Sequence, residues 1–279
     1  MLGILFESNE WSDHKLAAEL EARGLSVTLI DMEVPGNDST ALQCELIVNR
    51  VFASARFRGH DYSHARLPEL LERIEQKGIR LINPAAAHFY EISKLASTNR
   101  LRQEGLSVPL VYACDYPLNL NANDFTYPCV IKPDCGGRTT YTLIADNASE
   151  AHAFLASAPQ MLFIVEEYLK PEKGYLTRVE MIGYSCALII KRYVTDTGLA
   201  SYKQGSVYEH YDNPSEALIQ DCIRATRLLS FEVGSFDVIE RGEEYYFIDA
   251  NSVSNSHQEN VKRLDFDLMS SYANYIASL

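Results

Sequence analysis

The sequence predicts an α/β protein in which an N-terminal parallel βαβ unit is followed by a longer region of antiparallel hairpins and helices. The first third repeats short apolar runs and amphipathic stretches in βαβαβ order, which favours a small parallel sheet covered by helices. Beyond about residue 84 the predicted strands instead come in pairs across short turns. The 279 residues are 47% hydrophobic and 23% charged, an ordinary globular composition with length for about two domains.

In the first third, helix and strand boundaries follow from caps and breakers. Ser12 is a predicted N-cap, Gly24 follows the same helix at the position where helices commonly end, and Pro35 breaks the chain after the second strand. The predicted elements are strand 3–6, helix 13–23, strand 26–32, strand 45–51, helix 67–76 and strand 79–82.

The remaining two thirds begin with a helix over 94–104, which Ser93 is expected to cap and Gly105 to end. Further predicted strands are 129–132, 140–144, 162–168, 176–182, 186–194, 233–240 and 244–250. Further predicted helices are 149–157, 215–229 and one from about 267.

Charge and composition exclude several classes of function. Lys and Arg total 25 against 38 Asp and Glu, a net charge of −13 that repels nucleic acid at long range. Apolar runs such as 161–165 and 186–190 are far shorter than the roughly 20 residues of a membrane span, and the first residues do not resemble a signal peptide. Six cysteines without a CxxC pair or zinc-like spacing indicate reduced thiols, so a cytoplasmic location is expected.

Familiar catalytic motifs are missing from the chain. It contains no GxxxxGK[ST], no GxGxxG after a strand, no GxSxG and no HExxH. Simple P-loop, dinucleotide-binding, α/β-hydrolase and zincin interpretations are therefore disfavoured.

The last hairpin places oxygen ligands together. Asp249 and Asn251 are two residues apart on one strand, so their side chains leave the same face. If the turn lies at 242–244, Asp237 is directly opposite Asp249, with Cβ atoms about 5 Å apart. Two facing carboxylates on a largely apolar hairpin favour a divalent cation, for which hard oxygen ligands suit Mg²⁺. The alternative is that one or both aspartates lie at a solvated strand end.

Three further patterns are weaker when each is taken alone. Lys132 ends an apolar strand before Gly136 and Gly137, whose backbone could approach a phosphate; a surface hairpin is the alternative. The apolar run 162–169 ends in hydrogen-bond acceptors and an aromatic ring, as expected of a strand whose end binds a flat heterocycle. The alternative is a simple buried strand, which is all that its periodicity indicates. Lys191 and Arg192 neighbour Arg178 on the next predicted strand, where ordinary salt bridging is the alternative.

In order along the chain, these pieces resemble the ATP-grasp superfamily and, within it, the RimK-like carboxylate–amine ligases. The similar stretch runs from about Ile79 to the C-terminus. Its motifs are Ile-Asn-Pro84, Ser93-Lys94, Gly105-Leu-Ser-Val-Pro109, Val-Ile-Lys-Pro133, Val-Glu-Glu-Tyr-Leu169, Thr-Arg178, Ile-Lys-Arg192, Phe-Asp237 and Ile-Asp-Ala-Asn251. The resemblance implies a pre-ATP-grasp domain over 1–84 and an ATP-grasp domain over 85–279. In the latter, a lid lobe at about 106–168 and a C-terminal lobe at about 169–279 would grip ATP between them.

The resemblance also assigns roles to residues. Arg192 matches an arginine near the γ-phosphate, and Arg178 one that orients the acid substrate; with Lys132 they form the expected catalytic cations. The implied metal ligands, for Mg²⁺ or alternatively Mn²⁺, are Asp237, Asp249 and Asn251. From motifs and resemblance together, the expected nucleotide-binding residues are Lys94, Lys132, Gly136, Gly137, Glu166, Glu167, Tyr168, Leu169 and Lys191.

Two departures from the family pattern concern substrates. Leu176 stands where the family usually has an aspartate that helps to hold the nucleoside. After Asn251 the chain continues Ser-Val-Ser-Asn-Ser-His257, where the family often has Ser/Thr-Pro-Gly near the acceptor site.

The expected function is an ATP- and Mg²⁺-dependent ligase that forms an amide or peptide bond through an acyl phosphate and releases ADP and phosphate. Small-molecule or peptide carboxylates and amines are the expected partners, with self-association as in many relatives, and without nucleic acid or membrane. The alternatives are a phosphotransferase acting on a hydroxyl and a nucleotide-binding module without turnover. Arg50, Arg56 and Arg58 form the densest basic patch, interpreted either as attracting an acidic substrate or as ordinary salt bridging.

Overall fold

The N-terminal sheet is parallel, as the alternating pattern predicts. The computed structural model describes residues 1–200 and 205–279. Its first elements are β1 (Leu2–Phe6), α1 (Trp11–Ala22), β2 (Val27–Asp31), α2 (Asp38–Ala41), β3 (Leu46–Asn49), a 3₁₀ turn (Ala55–Arg58), α3 (Asp61–Gln76) and β4 (Arg80–Ile82). The strand order is β2-β1-β3-β4, with every pair parallel.

Two details of this unit differ from the sequence prediction. Helix α1 starts at Trp11, so Ser12 lies inside the helix rather than at its cap. The Ser12 hydroxyl instead donates to Asn255 Oδ1 at 2.7 Å. Helix α3 starts at Asp61, six residues earlier than predicted, because its first turns carry mainly polar residues and show no apolar period.

The lid lobe is a four-stranded antiparallel sheet with one helix. It follows α4 (Ala85–Glu91) and α5 (Lys94–Gln103), and Ser93 caps α5 by accepting from the Ala96 N–H. The lobe consists of β5 (Val111–Asp115), two 3₁₀ turns, β6 (Cys129–Pro133), β7 (Leu143–Ala145), α6 (Ala148–Ser157) and β8 (Phe163–Glu167), in sheet order β5-β8-β6-β7.

The C-terminal lobe is a five-stranded antiparallel sheet. Its elements are β9 (Tyr175–Ile182), β10 (Ser185–Tyr193), β11 (Tyr208–His210), α7 (Glu216–Leu228), β12 (Val233–Arg241), β13 (Glu244–Asn251), α8 (Gln258–Leu264) and α9 (Leu268–Ala277). The order is β11-β10-β9-β12-β13. One face packs against α7 through a core that includes Val179, Phe236 and Phe247. The strands alternate, and a bulge in β13 between Phe247 and Asp249 shifts the alternation there, so the opposite face carries the polar side chains of β9, β12 and β13.

The N-terminal unit is tied to the C-terminal lobe at two places. Asn83 donates to the carbonyls of Val233 and Ser252, both at 2.7 Å, and its Oδ1 accepts from two backbone N–H groups at the start of β12. Helix α9 buries Met269 and Ala273 in the same core as Leu16 of α1. The end of β13 is therefore held against the parallel sheet. Within the described ranges, no helix is long and apolar enough to cross a membrane.

Candidate active site

A cleft of about 370 Å³ lies between the lid sheet and the C-terminal sheet. The lid lobe contributes Lys132 and Glu166 to its lining, and the C-terminal sheet contributes Arg178, Arg192 and Asp237. The charged residues predicted from separate motifs are thus brought together from strands far apart in the chain.

The floor of the cleft is ordered in rows across the C-terminal sheet. In one row Asp249 pairs with Asp237, which pairs with Arg178, which pairs with Ile190. Asp237 lies opposite Asp249 as predicted, but the turn occupies 242–243 rather than 242–244, because Arg241 pairs with Glu244. A bulge at Ile248, between the pairs Val238–Phe247 and Asp237–Asp249, restores the pairing of the two aspartates. Charge along this row changes from acidic at β13 to cationic at β9 and apolar at β10.

The donor set at the acidic end fits a hard divalent cation. Asp249 Oδ1 is buried and has no hydrogen-bond partner among the described residues; its neighbour is Lys94 Nζ, at 3.4 Å. Asn251 follows two residues later on the same strand and also lines the cleft. Two carboxylates and one amide oxygen are the ligand type that Mg²⁺ takes. The described ranges contain no group of three or more His, Cys, Asp or Glu placed to hold a metal, and the amide is what completes this set.

Asp237 is neutralised by two arginines. Arg192 donates from one guanidinium nitrogen to both Asp237 oxygens at 2.9 Å, and Arg178 donates to Oδ1 at 3.3 Å. Burial alone would raise the pKa of Asp237, but the arginines outweigh burial and hold its pKa below the usual range. Asp237 is therefore ionised in a buried position, and a metal ion bound there would share it with the arginines.

Lys132 and Glu166 form a mostly buried ion pair on neighbouring lid strands. Lys132 Nζ lies 2.5 Å from Glu166 Oε1 and donates to the Ile248 carbonyl of β13 at 2.9 Å. The lysine thus spans the cleft from the lid sheet to the C-terminal sheet. Its ammonium is held beside the strand that carries Asp249 and Asn251.

Lys94 lies at the N-terminus of α5, next to the same acidic end. Its Nζ donates to the Gly136 carbonyl at 3.0 Å, and the Asp134 carboxylate accepts from the Leu95 N–H at 2.8 Å. Burial lowers the pKa of Lys94, but nearby acids, foremost Asp249, raise it above the usual value on balance. Lys94 therefore remains a cation within the cleft.

The segment expected to hold adenine lies where β8 leaves the lid sheet. The Glu167 N–H donates to the Leu110 carbonyl at 2.8 Å and the Tyr168 N–H to the Pro128 carbonyl at 3.3 Å. Both groups therefore bond within the lid lobe, and the Leu169 N–H is not among the backbone donors of the described residues that make such a bond. Leu176, at the position where the family usually has aspartate, is buried in an apolar cluster with Leu169.

The glycine loop after β6 lies against the N-terminal unit. A Cβ added at Gly136 would come within 2.4 Å of the Phe57 ring, so only glycine allows this approach. Arg138 forms an ion pair with Glu10, and the Phe57 and Tyr141 rings meet at 5.7 Å between centroids. Gly136 and Gly137 both line the cleft, so the loop closes one of its sides.

Lys191 is not brought to the cleft with the other predicted site residues. It lies one residue before Arg192 on β10, so its side chain leaves the opposite face. Its ammonium packs over the rings of Tyr175 and Tyr211, 5.2 and 4.8 Å from the centroids. The Ile-Lys-Arg192 motif therefore supplies one cation to the cleft, Arg192, and a second to an aromatic pair.

The basic patch of the N-terminal unit is mainly internal. Arg50 is fully buried and binds Asp13 at 2.9 Å and the Ser254 carbonyl at 2.7 Å. Arg58 forms ion pairs with Glu7 and Glu10. The salt-bridge interpretation therefore holds for these two arginines. Both bind acids within the N-terminal unit, and Arg50 also binds the segment that follows β13.

Two carboxylates lining the cleft were missed by the sequence analysis. Glu91 ends α4 and accepts from the Ala53 N–H at 3.1 Å and from the backbone and hydroxyl of Ser252. Burial raises the pKa of Glu91 to about 7. Glu180 lies on β9, two residues after Arg178, and this spacing on a predicted strand was the signal that could have found it.

Comparison with known proteins identifies the class. Residues 93–276 match the model of the RimK-like ATP-grasp domain, about two thirds of the chain. The chain belongs to the RimK-like ATP-grasp family, which confirms the expected fold and family. No protein of curated function matches the sequence significantly.

Solved structures with the same fold cover nearly the whole chain. A RimK-domain ATP-grasp protein from Sphaerobacter thermophilus superposes with a TM-score of 0.72 and 18% identity, over 98% of each chain. The ATP-grasp ligase PsnB, complexed with a phosphomimetic variant of its minimal precursor, Mg and ADP, gives a TM-score of 0.70 and 17% identity, over 99% of this chain and 97% of its own. D-alanine–D-alanine ligase from Bacillus anthracis gives 0.72 and 13%, over 99% and 96%.

Proposed function

We propose that the protein is an ATP- and Mg²⁺-dependent carboxylate–amine ligase that works through an acyl phosphate. The observation that supports the proposal is the row Asp249, Asp237, Arg178, in which two carboxylates suited to a metal ion lie beside a cation within one cleft. Family membership supports ATP as the phosphoryl donor, and the Mg and ADP in the PsnB complex support the cofactors.

ATP binds between the lobes. The Leu169 N–H and the apolar wall that includes Leu176 and Ile239 receive the base. The triphosphate extends toward β13, where the ammonium groups of Lys132 and Lys94 neutralise it. Asp237, Asp249 and Asn251 would hold Mg²⁺, which would supply further charge neutralisation to the phosphates.

The first chemical step joins two anions, so charge neutralisation dominates its catalysis. A carboxylate oxygen of the acid attacks the γ-phosphorus of ATP while the bond from that phosphorus to the bridging β-phosphate oxygen breaks, releasing ADP. Arg178 orients the acid and Arg192 lies over the transferring group. The glycine loop at 136–140 excludes the water that would hydrolyse the acyl phosphate.

The second step forms the amide bond. The amine nitrogen attacks the acyl carbon, the carbon–oxygen bond to phosphate breaks, and the nitrogen loses a proton. Phosphate is a good leaving group, whereas the oxide of a free carboxylate is not. The cations that bound the γ-phosphoryl group also stabilise the departing phosphate.

Hydroxylamine trapping tests this proposal without knowledge of the natural amine. The protein is incubated with ATP, Mg²⁺, a panel of carboxylic acids and hydroxylamine, and hydroxamate, ADP and phosphate are measured. At least one acid is expected to give all three in equal amounts, and EDTA or Asp249→Asn should nearly abolish them. ADP formed only with a hydroxyl compound, without free phosphate, would indicate the phosphotransferase; ATP binding without ADP from any acid or hydroxyl compound would indicate a binding module.

A further inference from the structure

We propose that the β10 side of the cleft is a subsite for α-amino acids with large apolar side chains, which serve as the acyl donor. This inference rests on the proposed function and names the class of its acid substrate. It follows from the apolar wall beside Arg178 and from a buried carboxylate, Glu180, that lines the same place.

The wall is built from β10 and the junction between α8 and α9. Ile190 and Leu188 share a face of β10 with Arg192, because they are two and four residues away from it. Leu264 and Phe266, at the junction of α8 and α9, cover the space above them. Leu264 is 5% exposed and Ile190 is 4% exposed, so these side chains are shielded from solvent in an apolar cluster.

Strand spacing determines which part of a substrate reaches this wall. Neighbouring strands are about 4.8 Å apart, so Arg178 lies roughly 10 Å and Ile190 roughly 14 Å from Asp249 along the row. A carboxylate held at Arg178 is next to the metal and phosphate side. The rest of the acid must then extend toward β10, onto Leu188 and Ile190.

Glu180 can bind a positively charged group of the substrate close to the carboxylate that Arg178 holds. Its Oε1 accepts from Arg178 Nε at 2.7 Å, whereas its Oε2 is buried and has no hydrogen-bond partner among the described residues. Glu180 is 4% exposed and lies opposite Leu188 in the β9–β10 register. At the base of an apolar pocket, Arg178 can bind the carboxylate of an α-amino acid while Glu180 binds its ammonium group. The side chain of the amino acid then lies on the apolar wall.

The same geometry disfavours acidic and short amino acids. A second carboxylate would lie against Leu188, Ile190 and Phe266, where burial of an unpaired charge is costly. Alanine would leave the wall uncovered. A void of about 10 Å³ beside Glu180, next to Ser254 and Tyr272, is large enough for about one water, and such a water is the competing partner for Oε2.

Binding and trapping measurements test the inference together. The protein is saturated with Mg²⁺ and a non-hydrolysable ATP analogue and titrated calorimetrically with phenylalanine, 3-phenylpropionate, alanine and glutamate. Phenylalanine is expected to bind at least ~10-fold more tightly than alanine or glutamate, because only its side chain fills the apolar pocket. The same order is expected for hydroxamate formation.

Variants separate the two contacts. Glu180→Gln should remove the preference for phenylalanine over 3-phenylpropionate, because only phenylalanine carries the ammonium. Phe266→Ala should weaken phenylalanine about 10-fold while the analogue's dissociation constant stays unchanged. Leu118→Ala, at a side chain 84% exposed on the lid lobe, is the matched control and should change neither value. Thermal melts check that each variant folds. If Phe266→Ala does not fold, Leu188→Ala replaces it as the test of the apolar wall.

The outcomes distinguish this inference from the proposed function. Hydroxamate formed with glutamate or a short acid as readily as with phenylalanine would overturn the subsite and leave the ligase intact. Equal binding of phenylalanine and 3-phenylpropionate, unchanged by Glu180→Gln, would assign Oε2 to water and overturn the zwitterion match. Absence of hydroxamate with every acid would overturn both.

Discussion

Arg192 donates to both oxygens of Asp237 at 2.9 Å, although the two residues lie on strands separated by β9. The contact crosses from the apolar side of the cleft floor to its acidic side. Asp237, the predicted metal ligand, and Arg192, the predicted γ-phosphate arginine, are therefore electrostatically coupled. Substitution of either should therefore lower turnover.

The β10 strand offers a matched pair of substitutions. Arg192→Gln removes the cleft cation, and Lys191→Gln removes its neighbour on the opposite face, which packs on Tyr175 and Tyr211. We expect Arg192→Gln to lower kcat for hydroxamate formation by about 100-fold or more, as for loss of a transition-state charge contact. Lys191→Gln should leave kcat within about twofold, since a cation–π contact contributes only about 0.5–2 kcal/mol, and to stability rather than to turnover. Equal losses in the two variants would contradict the placement of Lys191 outside the cleft.

The Lys132–Glu166 pair predicts separate effects on stability and on nucleotide affinity. Lys132→Ala leaves Glu166 buried without its partner, so unfolding free energy should fall by about 3–5 kcal/mol. The double variant Lys132→Met/Glu166→Gln removes both charges and should recover most of that loss in denaturant unfolding. ATP affinity should stay weak in both variants, because the phosphate-binding ammonium is absent. Recovery of ATP affinity in the double variant would show that Lys132 serves the fold alone.

Glu91 predicts a pH dependence of stability. Burial raises its pKa to about 7 in the folded protein, above the usual 4.5 of a glutamate, so the folded state binds the proton more tightly. The stabilisation from this proton is complete below about pH 4.5 and is lost as pH rises through about 7. Glu91→Gln cannot lose a proton, so the melting temperature of the natural protein minus that of the variant should fall between pH 5 and pH 8. A difference that does not vary over this range would contradict the raised pKa.

The glycine loop provides a third pair of variants. A Cβ at Gly136 would meet the Phe57 ring at 2.4 Å, whereas a Cβ at Gly137 would meet Ser54 at an ordinary 3.6 Å. Gly136→Ala should therefore destabilise the protein by about 1–3 kcal/mol, and Gly137→Ala much less. Phe57→Ala combined with Gly136→Ala should show positive coupling in a double-mutant cycle of thermal unfolding. Additive effects would show that the loop does not contact the N-terminal unit.

The C-terminal hairpin illustrates what sequence alone could predict. Alternation along β13 placed Asp249 and Asn251 on one face, and the expected hairpin brought Asp237 opposite Asp249, which made the ligand set visible. The bulge at Ile248, which compensates for a turn one residue shorter than expected, was not predicted. Ser93 likewise followed from its position before an amphipathic run. These predictions depend only on residues close in sequence, where backbone geometry leaves few choices.

Residues whose partners are distant in sequence could not be assigned this way. Ser12 is of a residue type that commonly caps helices, yet its hydroxyl donates a hydrogen bond to Asn255, 243 residues later. Arg50 belonged to the densest basic patch, for which substrate attraction was one interpretation, yet it is fully buried against Asp13 and Ser254. Lys191 shared a basic motif with Arg192, and only the strand's exact phase separates their faces. Tertiary contacts, which local pattern does not contain, decided the first two, whereas the opposite faces of Lys191 and Arg192 follow from strand alternation.

The central claim is that ATP phosphorylates a carboxylate before an amine attacks it. The direct measurement uses an acid that supports turnover, labelled with ¹⁸O in both carboxylate oxygens, and mass analysis of the products. The account predicts one ¹⁸O in the released phosphate, one in the amide or hydroxamate, and none in ADP. Unlabelled phosphate accompanying product formation, or ¹⁸O recovered in AMP, would contradict it.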